Sequence, residues 1–441
     1  MADAEEESFS GLKLSNWIVK QCSNIGLKAP TPIQVRCIPE ILNGKDCIGA
    51  AKTGSGKTLA FALPILHKLC EDPYGIFALI LTPTRELAYQ IADQFAIIGT
   101  HINLKHCVIV GGVDMVKQGI ELSKHPHIVI ATPGRLADHL ESCKTFSLSR
   151  IRFLVMDEAD RLLVIYHKKR QNLFFSATIT DTLETLKNVI GKEVFLYEAP
   201  AETATVEQLQ QHYLLCPIDV KDAYFVQAIR EYRNRDSKGS IMIFTNSCKN
   251  CQVLSMMLNE VGFENVALHA MLSQTQRLAA LARFKSNVVK ILVATDVASR
   301  GLDIPTVALV VNHAMPNTSK DYIHRVGRTA RAGRGGQAIT LITPYDIQNL
   351  QSIEKDINAK LTEAKVDESE VAKIFSQISV TKSEAHIKLD GDGFYEKKLI
   401  NKRKQWILQG LDPDEEEKKM FKKLKKTKTK KKIKNVTKVK S

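Results

Sequence analysis

The sequence lacks any apolar run that approaches the eighteen residues of a membrane-spanning helix, so we expect no transmembrane segment. Its first seven residues are acidic and lack the basic and apolar regions of a signal peptide. The nine cysteines are an odd number scattered through apolar segments, which is typical of reduced thiols in the cytosol or nucleus. Cys248 and Cys251 form a CxxC pair, but the sequence has no second pair to complete a zinc site.

Acidic residues are absent from residues 418–441, which hold thirteen lysines. Without these lysines the chain has 49 basic and 48 acidic residues, so nearly all of its net charge of +14 belongs to the tail. A segment this charged and this poor in apolar residues cannot bury enough surface to fold alone. We therefore expect a disordered Lys-rich tail, which is either a solvated solubility segment or a polyanion-binding and targeting segment.

Short, continuously apolar segments alternate with helical patterns over most of the chain. Continuous rather than alternating apolar strands indicate parallel sheets covered on both faces, so the fold class is α/β. The predicted strands form two sets, residues 77–81, 128–131, 153–156 and 173–175, followed by residues 241–244, 291–294, 309–311 and 338–342. The expected parts are a domain at 1–198, a linker at 199–211, a second domain at 212–350, a helical extension at 351–417 and the tail at 418–441.

A glycine-rich segment, residues 51–58, lies between a predicted strand at 46–50 and an apolar helix. Glycines let backbone N–H groups converge on phosphates at the helix N-terminus, a lysine meets the β/γ-phosphate charge, and a threonine hydroxyl can bind magnesium. The candidate phosphate-binding residues are Ala51, Thr53, Gly54, Ser55, Gly56, Lys57 and Thr58. Ala51 occupies a position where the usual pattern has glycine. The segment predicts a site for ATP and Mg²⁺.

Carboxylates follow the buried strand at 153–156, in the order Asp157, Glu158, Ala159, Asp160. An acidic strand end alone is commonplace on protein surfaces. Beside a phosphate loop, however, Asp157 would hold Mg²⁺, and Glu158 would orient and deprotonate the attacking water. The residues therefore predict an ATP-hydrolysing site.

Together with the motifs around them, these residues resemble the DEAD-box RNA helicases over residues 9–345. The resemblance implies two tandem RecA-like parallel-sheet domains with a helical, basic C-terminal extension. Phe9 and residues 26–34 resemble the family's Q motif. The resemblance implies that Phe9 stacks on adenine, that Gln34 reads the amino edge of the base, and that Lys28 belongs to the same nucleotide-binding motif. Asp303 matches the family's ribose contact.

Further segments resemble the family's RNA-backbone motifs. Hydroxyls, backbone N–H groups and arginines suit phosphate contact without base readout. In the first domain the matching residues are Pro83, Thr84, Arg85, Gly111, Gly112, Thr132, Pro133, Gly134 and Arg135. In the second domain they are Thr245, Asn246, Gln274, Arg277 and Thr295.

The segment at residues 324–331 resembles the family's arginine-finger motif. The resemblance implies that Arg328 and Arg331 reach the γ-phosphate, where fixed positive charge stabilises the transition state. It also implies interdomain coupling by Ser176, Thr178, His324 and Arg325. The implied mechanism is closure of two domains on ATP and RNA, local opening of a short duplex, and release on hydrolysis. The implied setting is ribosome biogenesis in the nucleus and nucleolus, on pre-rRNA with pre-ribosomal proteins. The motifs do not determine the oligomeric state, for which we expect a monomer, and we expect no membrane partner.

One interval departs from the family, because only fifteen residues, 161–175, lie between Asp160 and Ser176. The family's interval is roughly twice as long and holds a helix between two parallel strands, which need at least about ten to twelve residues. A missing segment would expose apolar surface on one face of the first sheet and impair the ATPase. The alternative is a shortened crossover with normal strand pairing.

Two other functions remain open at this point. One is a non-catalytic RNA-binding or scaffold protein, which the short interval favours and the complete set of catalytic residues opposes. The other is a phosphate-loop ATPase without nucleic acid, which the RNA-type motifs of both domains oppose.

Overall fold

The computed structural model describes residues 8–51, 54–142, 145–159, 170–176, 194–199, 209–296, 304–330 and 335–391, together with scattered residues between 393 and 419. The chain divides into two compact units, one built around each of two parallel sheets. The expected α/β class with two tandem parallel-sheet domains is confirmed.

The first unit contains a seven-stranded sheet with the strand order β3-β4-β2-β5-β6-β1-β7. All its neighbouring strands run parallel. The strands are β1 (Cys47–Ala50), β2 (Ala78–Leu81), β3 (His106–Ile109), β4 (Ile128–Ala131), β5 (Phe153–Asp157), β6 (Gln171–Ser176) and β7 (Phe195–Glu198). Because every strand runs the same way, all their carboxyl ends meet at one edge of the sheet.

Two helices precede the first strand, and four others connect successive strands of the first sheet. They are α1 (Asn16–Asn24), α2 (Pro32–Leu42), α3 (Lys57–Glu71), α4 (Arg85–Ile98), α5 (Met115–Ser123) and α6 (Pro133–Ser142), and short 3₁₀ helices lie at Phe9–Leu12 and Gly99–Ile102. The helix α3 is almost wholly apolar along Leu59–Leu66 in sequence, and its side chains there are buried. Side chains alternate between the two faces of each strand, so Val155 and Phe175 join one core cluster while Met156 and Phe174 join the other.

The shortened interval leaves β5 and β6 paired normally, with Phe153 opposite Gln171 and Asp157 opposite Phe175. Residues 158–170 connect these strands, and residues 160–169 lie outside the described residues. Thirteen residues exceed the roughly ten to twelve that a parallel crossover needs, so this connection has enough chain for a parallel pair.

The expected loss of apolar cover over these strands is wrong. Leu154, Met156 and Phe174 are 3%, 2% and 1% exposed. They belong to a core cluster that includes Leu122 and Phe146, which come from other parts of the first unit. Cover on this face therefore depends on several elements and not on the crossover alone.

The second unit contains a second seven-stranded parallel sheet with the order β10-β11-β9-β12-β13-β8-β14. Its strands are β8 (Leu209–Leu215), β9 (Ile241–Thr245), β10 (Val266–Leu268), β11 (Ile291–Thr295), β12 (Leu309–Asn312), β13 (Gly336–Ile342) and β14 (Thr362–Glu363). The strand β8 begins within the segment expected to be a linker. Its residues Gln210, Gln211 and His212 are only partly buried or exposed, so its apolar signal is weak.

The helices of the second unit are α7 (Lys221–Arg235), α8 (Cys248–Glu260), α9 (Gln274–Lys285), α10 (Ser319–Val326), α11 (Ile347–Ile357) and α12 (Glu368–Gly391). The long helix α12 packs on α7 and α8 and places Ile374 and Ile378 in their shared core. The described residues after position 350 thus include the end of α11, the short strand β14 and the long helix α12. The Lys-rich segment from residue 420 lies outside the described residues.

The cysteines within the described part of the chain are free thiols. Cys251 is buried, its Sγ donates to the carbonyl of Val293 at 3.2 Å, and burial raises its pKa to about 12. Its partner in the CxxC pair, Cys248, lies in the first turn of α8. A protonated, buried thiol is a packing residue. No helix among the described residues has the length and apolarity to span a bilayer.

Candidate nucleotide and RNA site

The predicted phosphate loop lies between β1 and α3. Gly56 is the N-cap of α3 and has a left-handed backbone with φ of 89°. An added Cβ at Gly56 would collide with the side chains of Gln34 and Thr31, so only glycine fits there. Lys57 and Thr58 follow as the first residues of the helix. The loop therefore points the free N–H groups of a helix N-terminus toward the sheet edge where the strands end.

Gln34 attaches the Q motif to this loop. Its Nε2 donates to the carbonyl of Gly56 at 3.0 Å, and its Oε1 accepts from the backbone N–H of Thr31 at 2.9 Å. The Thr31 and Gln34 pair is a capping box at the start of α2. Phe9, the aromatic residue of the same motif, is buried in the 3₁₀ helix at Phe9–Leu12, whereas Lys28 is exposed.

The strand ends beside the loop carry the predicted carboxylates. Asp157 is the last residue of β5 and is 4% exposed, and Ser176 is the last residue of the adjacent strand β6. The carbonyl of Ser176 accepts from the N–H of Ala51, where the phosphate loop begins. The strand β6 lies between β5 and β1, so β5 and β1 are two strand spacings of about 4.8 Å apart. The structure brings Asp157, Ser176 and the phosphate loop to one place.

Glu158 turns the chain away from β5 with a φ of 54°, a left-handed conformation that is uncommon for a residue with a side chain. Its backbone N–H donates to Oδ1 of Asp157 at 3.1 Å. Such strain is typical of functional positions that the surrounding structure over-determines. Because the backbone turns at Glu158, the side chains of Asp157 and Glu158 leave the chain in different directions.

Several predicted residues of this site lie outside the described residues. They are Thr53, Thr178, Asp303 and Arg331, together with Asp160. Gly54 and Ser55 are described and lie in the loop itself. Within the described chain, Oγ of Ser55 is buried without a hydrogen-bond partner. A buried hydroxyl at a helix N-terminus fits an anionic oxygen as its partner.

The predicted RNA-backbone residues of the first unit converge around the turn after β3. Arg85 opens α4 and lies against Gly111 and Gly112, where any Cβ would meet its guanidinium. Burial lowers the pKa of Arg85, Glu86 opposes this shift, and the neighbouring cation Arg135 reinforces it. Arginine nevertheless remains charged in proteins. The turn thus holds a partly desolvated positive charge.

Arg135 reaches the same turn from another element. Its Nη1 donates to the carbonyl of Val113 at 2.8 Å, and its Nε pairs with Asp138 at 3.4 Å. Thr132 precedes α6 and donates its backbone N–H to the carbonyl of Ile109. Pro133 and Gly134 are exposed in the first turn of that helix, and Pro83 and Thr84 lie directly before α4. Three chain segments therefore present polar and basic groups at the carboxyl edge of the first sheet.

The predicted residues of the second unit also lie at strand ends. Thr245 ends β9 and Thr295 ends β11, and these strands are neighbours in the sheet with the two residues in register. Asn246 follows β9 and accepts from Nδ2 of Asn250 at 3.1 Å. Gln274 and Arg277 lie in the first turns of α9. Thr245 and Thr295 therefore share the carboxyl edge of the second sheet.

The helix α10 supplies the predicted coupling residues. Arg325 is buried and binds both carboxylate oxygens of Asp296, with Nε to Oδ1 at 2.6 Å and Nη2 to Oδ2 at 2.7 Å. Arg328 is also buried, and its carbonyl accepts from the N–H of Val307 at 3.0 Å. His324 is partly exposed on the same helix. The helix thus anchors its motif to the strand β11 through one ion pair.

Two residues lie within the predicted motifs but had no assigned role, Thr31 in the Q motif and Asp296 beside Thr295. Thr31 closes the capping box with Gln34, and the spacing of threonine and glutamine by three residues was the signal for it. Asp296 holds Arg325, and nothing in the sequence pairs these two residues, which are 29 positions apart.

The comparisons with known proteins agree with this geometry. The chain matches the family described as DEAD/DEAH box helicase over residues 31–186 and the helicase conserved C-terminal domain over residues 221–333. It is 59% identical to the human protein named "Probable ATP-dependent RNA helicase DDX49", over 93% of this chain and 88% of that protein. It is 50% identical to Dbp45A of Drosophila melanogaster, over 95% of this chain and 83% of that protein.

Two solved structures resemble the fold. One is S. cerevisiae Dbp5 bound to RNA and ADP BeF3, with a TM-score of 0.71 and 28% identity, covering 84% of this chain and 99% of that chain. The other is Mss116p bound to ssRNA and AMP-PNP, with a TM-score of 0.73 and 30% identity, covering 86% of this chain and 85% of that chain. On the motifs, the two parallel-sheet domains and these matches, the chain belongs to the DEAD-box ATP-dependent RNA helicases, which are ATP-hydrolysing enzymes.

Proposed function

We propose that this chain binds ATP at the loop of residues 51–58 and uses its hydrolysis to remodel RNA. The observation that carries the proposal is that Gln34, Gly56 and Lys57 lie together at the N-terminus of α3. Asp157 ends β5, which is two strands from β1 in the same sheet. Lys57 would meet the β/γ-phosphates, and the backbone N–H groups from Gly54 to Thr58 would bind the phosphate oxygens. Phe9, Gln34 and Lys28 would receive the base, and Asp303 the ribose.

A magnesium ion fits the same place. Thr58 and Asp157 supply the hydroxyl and carboxylate oxygens that Mg²⁺ prefers, and the buried hydroxyl of Ser55 fits an anion beside it. When bound, the ion would neutralise charge on the phosphates. Glu158 would orient the attacking water and accept its proton, while Arg328 and Arg331 would stabilise the charge of the transition state.

RNA would lie along the carboxyl edges of both sheets. Arg85, Arg135 and the turn at Gly111–Gly112 would hold phosphates in the first unit, with Pro83, Thr84, Thr132, Pro133 and Gly134 beside them. Thr245, Asn246, Gln274, Arg277 and Thr295 would do so in the second unit. The arginines, hydroxyls, amides and backbone N–H groups among them suit phosphate oxygens, so binding would not depend on base sequence. Ser176, Thr178, His324 and Arg325 would couple nucleotide and RNA binding.

The experiment that tests the catalytic roles is RNA-stimulated ATP turnover of the purified chain and its Glu158→Gln variant. Loss of the general base should reduce turnover by about 10²- to 10⁴-fold while nucleotide binding persists. The surface variant Glu121→Gln, on the exposed face of α5, is the matched control and should retain full activity. Equal turnover in all three proteins would refute the assignment of Glu158.

A non-catalytic RNA-binding form is the second candidate, because the interval between Asp160 and Ser176 is short. The normal pairing of β5 with β6 and the buried Phe174 favour an active enzyme. RNA-stimulated turnover and thermal unfolding similar to those of a full-length relative would eliminate the second candidate. RNA binding without any turnover would establish it.

We further assign the enzyme to ribosome biogenesis in the nucleus and nucleolus, on pre-rRNA and with pre-ribosomal proteins. The support is the 59% identity to the human relative and the Lys-rich segment at residues 418–441. Crosslinking of RNA to the tagged chain in cells should recover pre-rRNA, and removal of residues 418–441 should lower nucleolar enrichment. Recovery of messenger RNA alone would contradict this assignment.

A further inference from the structure

The strand starts of the first sheet form an edge opposite to the one that carries the nucleotide and RNA motifs. One hydrogen-bonded row crosses this amino-terminal edge. The N–H of His127 donates to the carbonyl of Lys105, that of Phe77 to His127, and that of Arg152 to Phe77, each at 2.8 Å. Adjacent strands lie about 4.8 Å apart, so this row sets Lys105 and Arg152 about 15 Å apart along a line.

Aromatic rings hold two arginines at one end of the row. The guanidinium of Arg152 lies 5.9 Å from the ring centre of Phe77, and that of Arg150 lies 5.8 Å from the ring centre of Tyr74. The two rings meet edge to face at 5.2 Å, and Oη of Tyr74 donates to the carbonyl of Arg150 at 3.0 Å. Phe77 is fully buried and Tyr74 is partly buried, so both rings are fixed supports. Stacking restricts the arginines and leaves their N–H donors pointing to solvent.

Arg150, Arg152 and Lys105 are exposed, and none of them forms an ion pair within the ranges that the structure describes. Several carboxylates of the described residues at this end have partners of their own: Glu71 pairs with Lys68, Glu121 pairs with Lys124, Glu40 pairs with Lys45, and Asp46 is buried and accepts from Asn172. Asp72, near Tyr74, and Asp93, near His106, are exposed carboxylates that face this edge without an ion pair to its three cations.

We propose that this amino-terminal edge of the first sheet is a second RNA-backbone site, in which Arg150, Arg152 and Lys105 bind phosphates. The proposal rests on the RNA activity of the family to which the chain belongs, and it adds a surface that the motifs do not include. A guanidinium binds phosphate through two N–H donors, and cations about 15 Å apart along a line can contact separate phosphates of one polymer that has a charge on every unit. The rings are already covered by guanidinium groups, so they support backbone contact and not base stacking.

The position of this edge predicts which RNAs it serves. The strand β5 separates Arg152 from Asp157 by about 16 Å, so one RNA must extend beyond the motif-lined edge to reach both. A short RNA fills one site, whereas a long RNA can occupy both and gains affinity from the second contact. The amino-terminal edge should therefore increase the affinity for long RNA and leave short RNA unaffected.

The test uses the full chain with the double substitution Arg150→Glu and Arg152→Glu. The matched control, Arg235→Glu with Lys360→Glu, reverses two exposed cations of the second unit and lowers the net charge equally. Fluorescence anisotropy would measure binding to single strands of about 10 and about 40 nucleotides over a range of salt concentrations. ATP turnover with the short strand would show that the motif-lined site is intact.

The expected result is a loss of about tenfold or more in affinity for the long strand. The slope of log affinity against log salt should become shallower by about 1.4, because each lost single-strand phosphate contact contributes about 0.7. Short-strand affinity and turnover should match the control. The milder pair Arg150→Gln and Arg152→Gln, checked by thermal unfolding, gives the same comparison if charge reversal prevents folding.

Two outcomes would overturn the proposal. Equal slopes for the variant and the control with long RNA would show that this edge does not bind phosphates, and would leave an acidic protein segment as its partner. Equal losses for short and long RNA would show a general field effect and not a site. Absence of turnover in the unmodified chain would instead count against the proposed function.

Discussion

Arg325 and Asp296 form a bidentate ion pair that attaches α10 to the end of β11. The same guanidinium donates Nη1 to the carbonyl of Ala314 at 2.6 Å and lies 5.3 Å from the ring centre of Phe244. Arg325 is 3% exposed, so this charge has been removed from water almost completely. Its partners must therefore be supplied by the protein.

Substitution of Arg325 should destabilise the second unit. Arg325→Ala would leave Asp296 without its buried partner and should cost about 3–5 kcal/mol in the free energy of unfolding. Arg325→Lys keeps the charge but cannot make two parallel hydrogen bonds, so it should recover only part of the loss. Urea unfolding measures both values. Full recovery by lysine would show that the fork geometry does not matter.

Substitution of Gly56 should separate backbone strain from contact with the Q motif. Gly56→Ala requires a left-handed alanine and also pushes its Cβ into Gln34, whereas Gly44→Ala requires a similar φ of 85° with no atom within 4 Å. Both variants should lose about 1–2 kcal/mol of stability. Only Gly56→Ala should also weaken ATP binding, by tenfold or more, because it displaces Gln34. Equal ATP affinity in the two variants would show that the contact of Gln34 with Gly56 has no role.

Stability should fall as the pH falls below neutrality, in part because of His313. Burial lowers the pKa of His313, Asp222 opposes this shift, and Lys221 and Lys382 reinforce it. The unfolded chain therefore binds a proton near pH 6.5 that the folded chain resists, so stability is present above that pH and is lost below it.

The variant His313→Gln should make the pH dependence shallower. In the native protein, Nε2 of His313 donates to Oδ1 of Asp222 at 2.8 Å. The side-chain amide of glutamine can replace that donor and does not titrate. The difference in slope should not exceed about 1.4 kcal/mol per pH unit, the value for one proton. Urea unfolding between pH 5 and pH 8, with the exposed His101→Gln as control, measures it. Identical slopes in both variants would contradict the role of His313.

The helix α12 should act as part of the second unit and not as a loose appendage. Leu389 is buried with Phe394 and Val253, so Leu389→Ala should lower the free energy of unfolding by about 2–5 kcal/mol. Ile387, two residues earlier on the same helix, is 72% exposed, and Ile387→Ala should change it by less than about 0.5 kcal/mol. Similar effects of the two substitutions would mean that α12 does not pack as the structure shows.

Continuous apolar segments that alternate with helical patterns were sufficient to predict the α/β class and most strands of both sheets. One of the missed strands is β8, whose polar residues lie in partly exposed positions near the sheet edge and give a weak apolar signal. The predicted linker therefore contained the start of a strand. Pairing with β13 decides its conformation, because a neighbouring strand satisfies its backbone groups whatever its side chains are.

The chemical identity of the site was readable from local sequence. The glycines, lysine and threonine of the phosphate loop, and the acidic end of β5, are short-range patterns whose function depends on one turn or one strand end. The partners of these residues were not readable. Asp296 meets Arg325, and Tyr74 meets Arg150, only because distant segments share a sheet edge.

The sequence by itself determined the α/β class, the phosphate loop, the order of the helicase motifs and the concentration of positive charge in residues 418–441. These features depend on residue type and short spacing, which a linear chain displays directly. Only the tertiary structure decided that a thirteen-residue connection lets β5 and β6 pair, that Phe174 remains covered, and that basic residues line the amino-terminal edge of the first sheet. Strand order and side-chain packing set these results, because they bring together residues that are far apart in the chain.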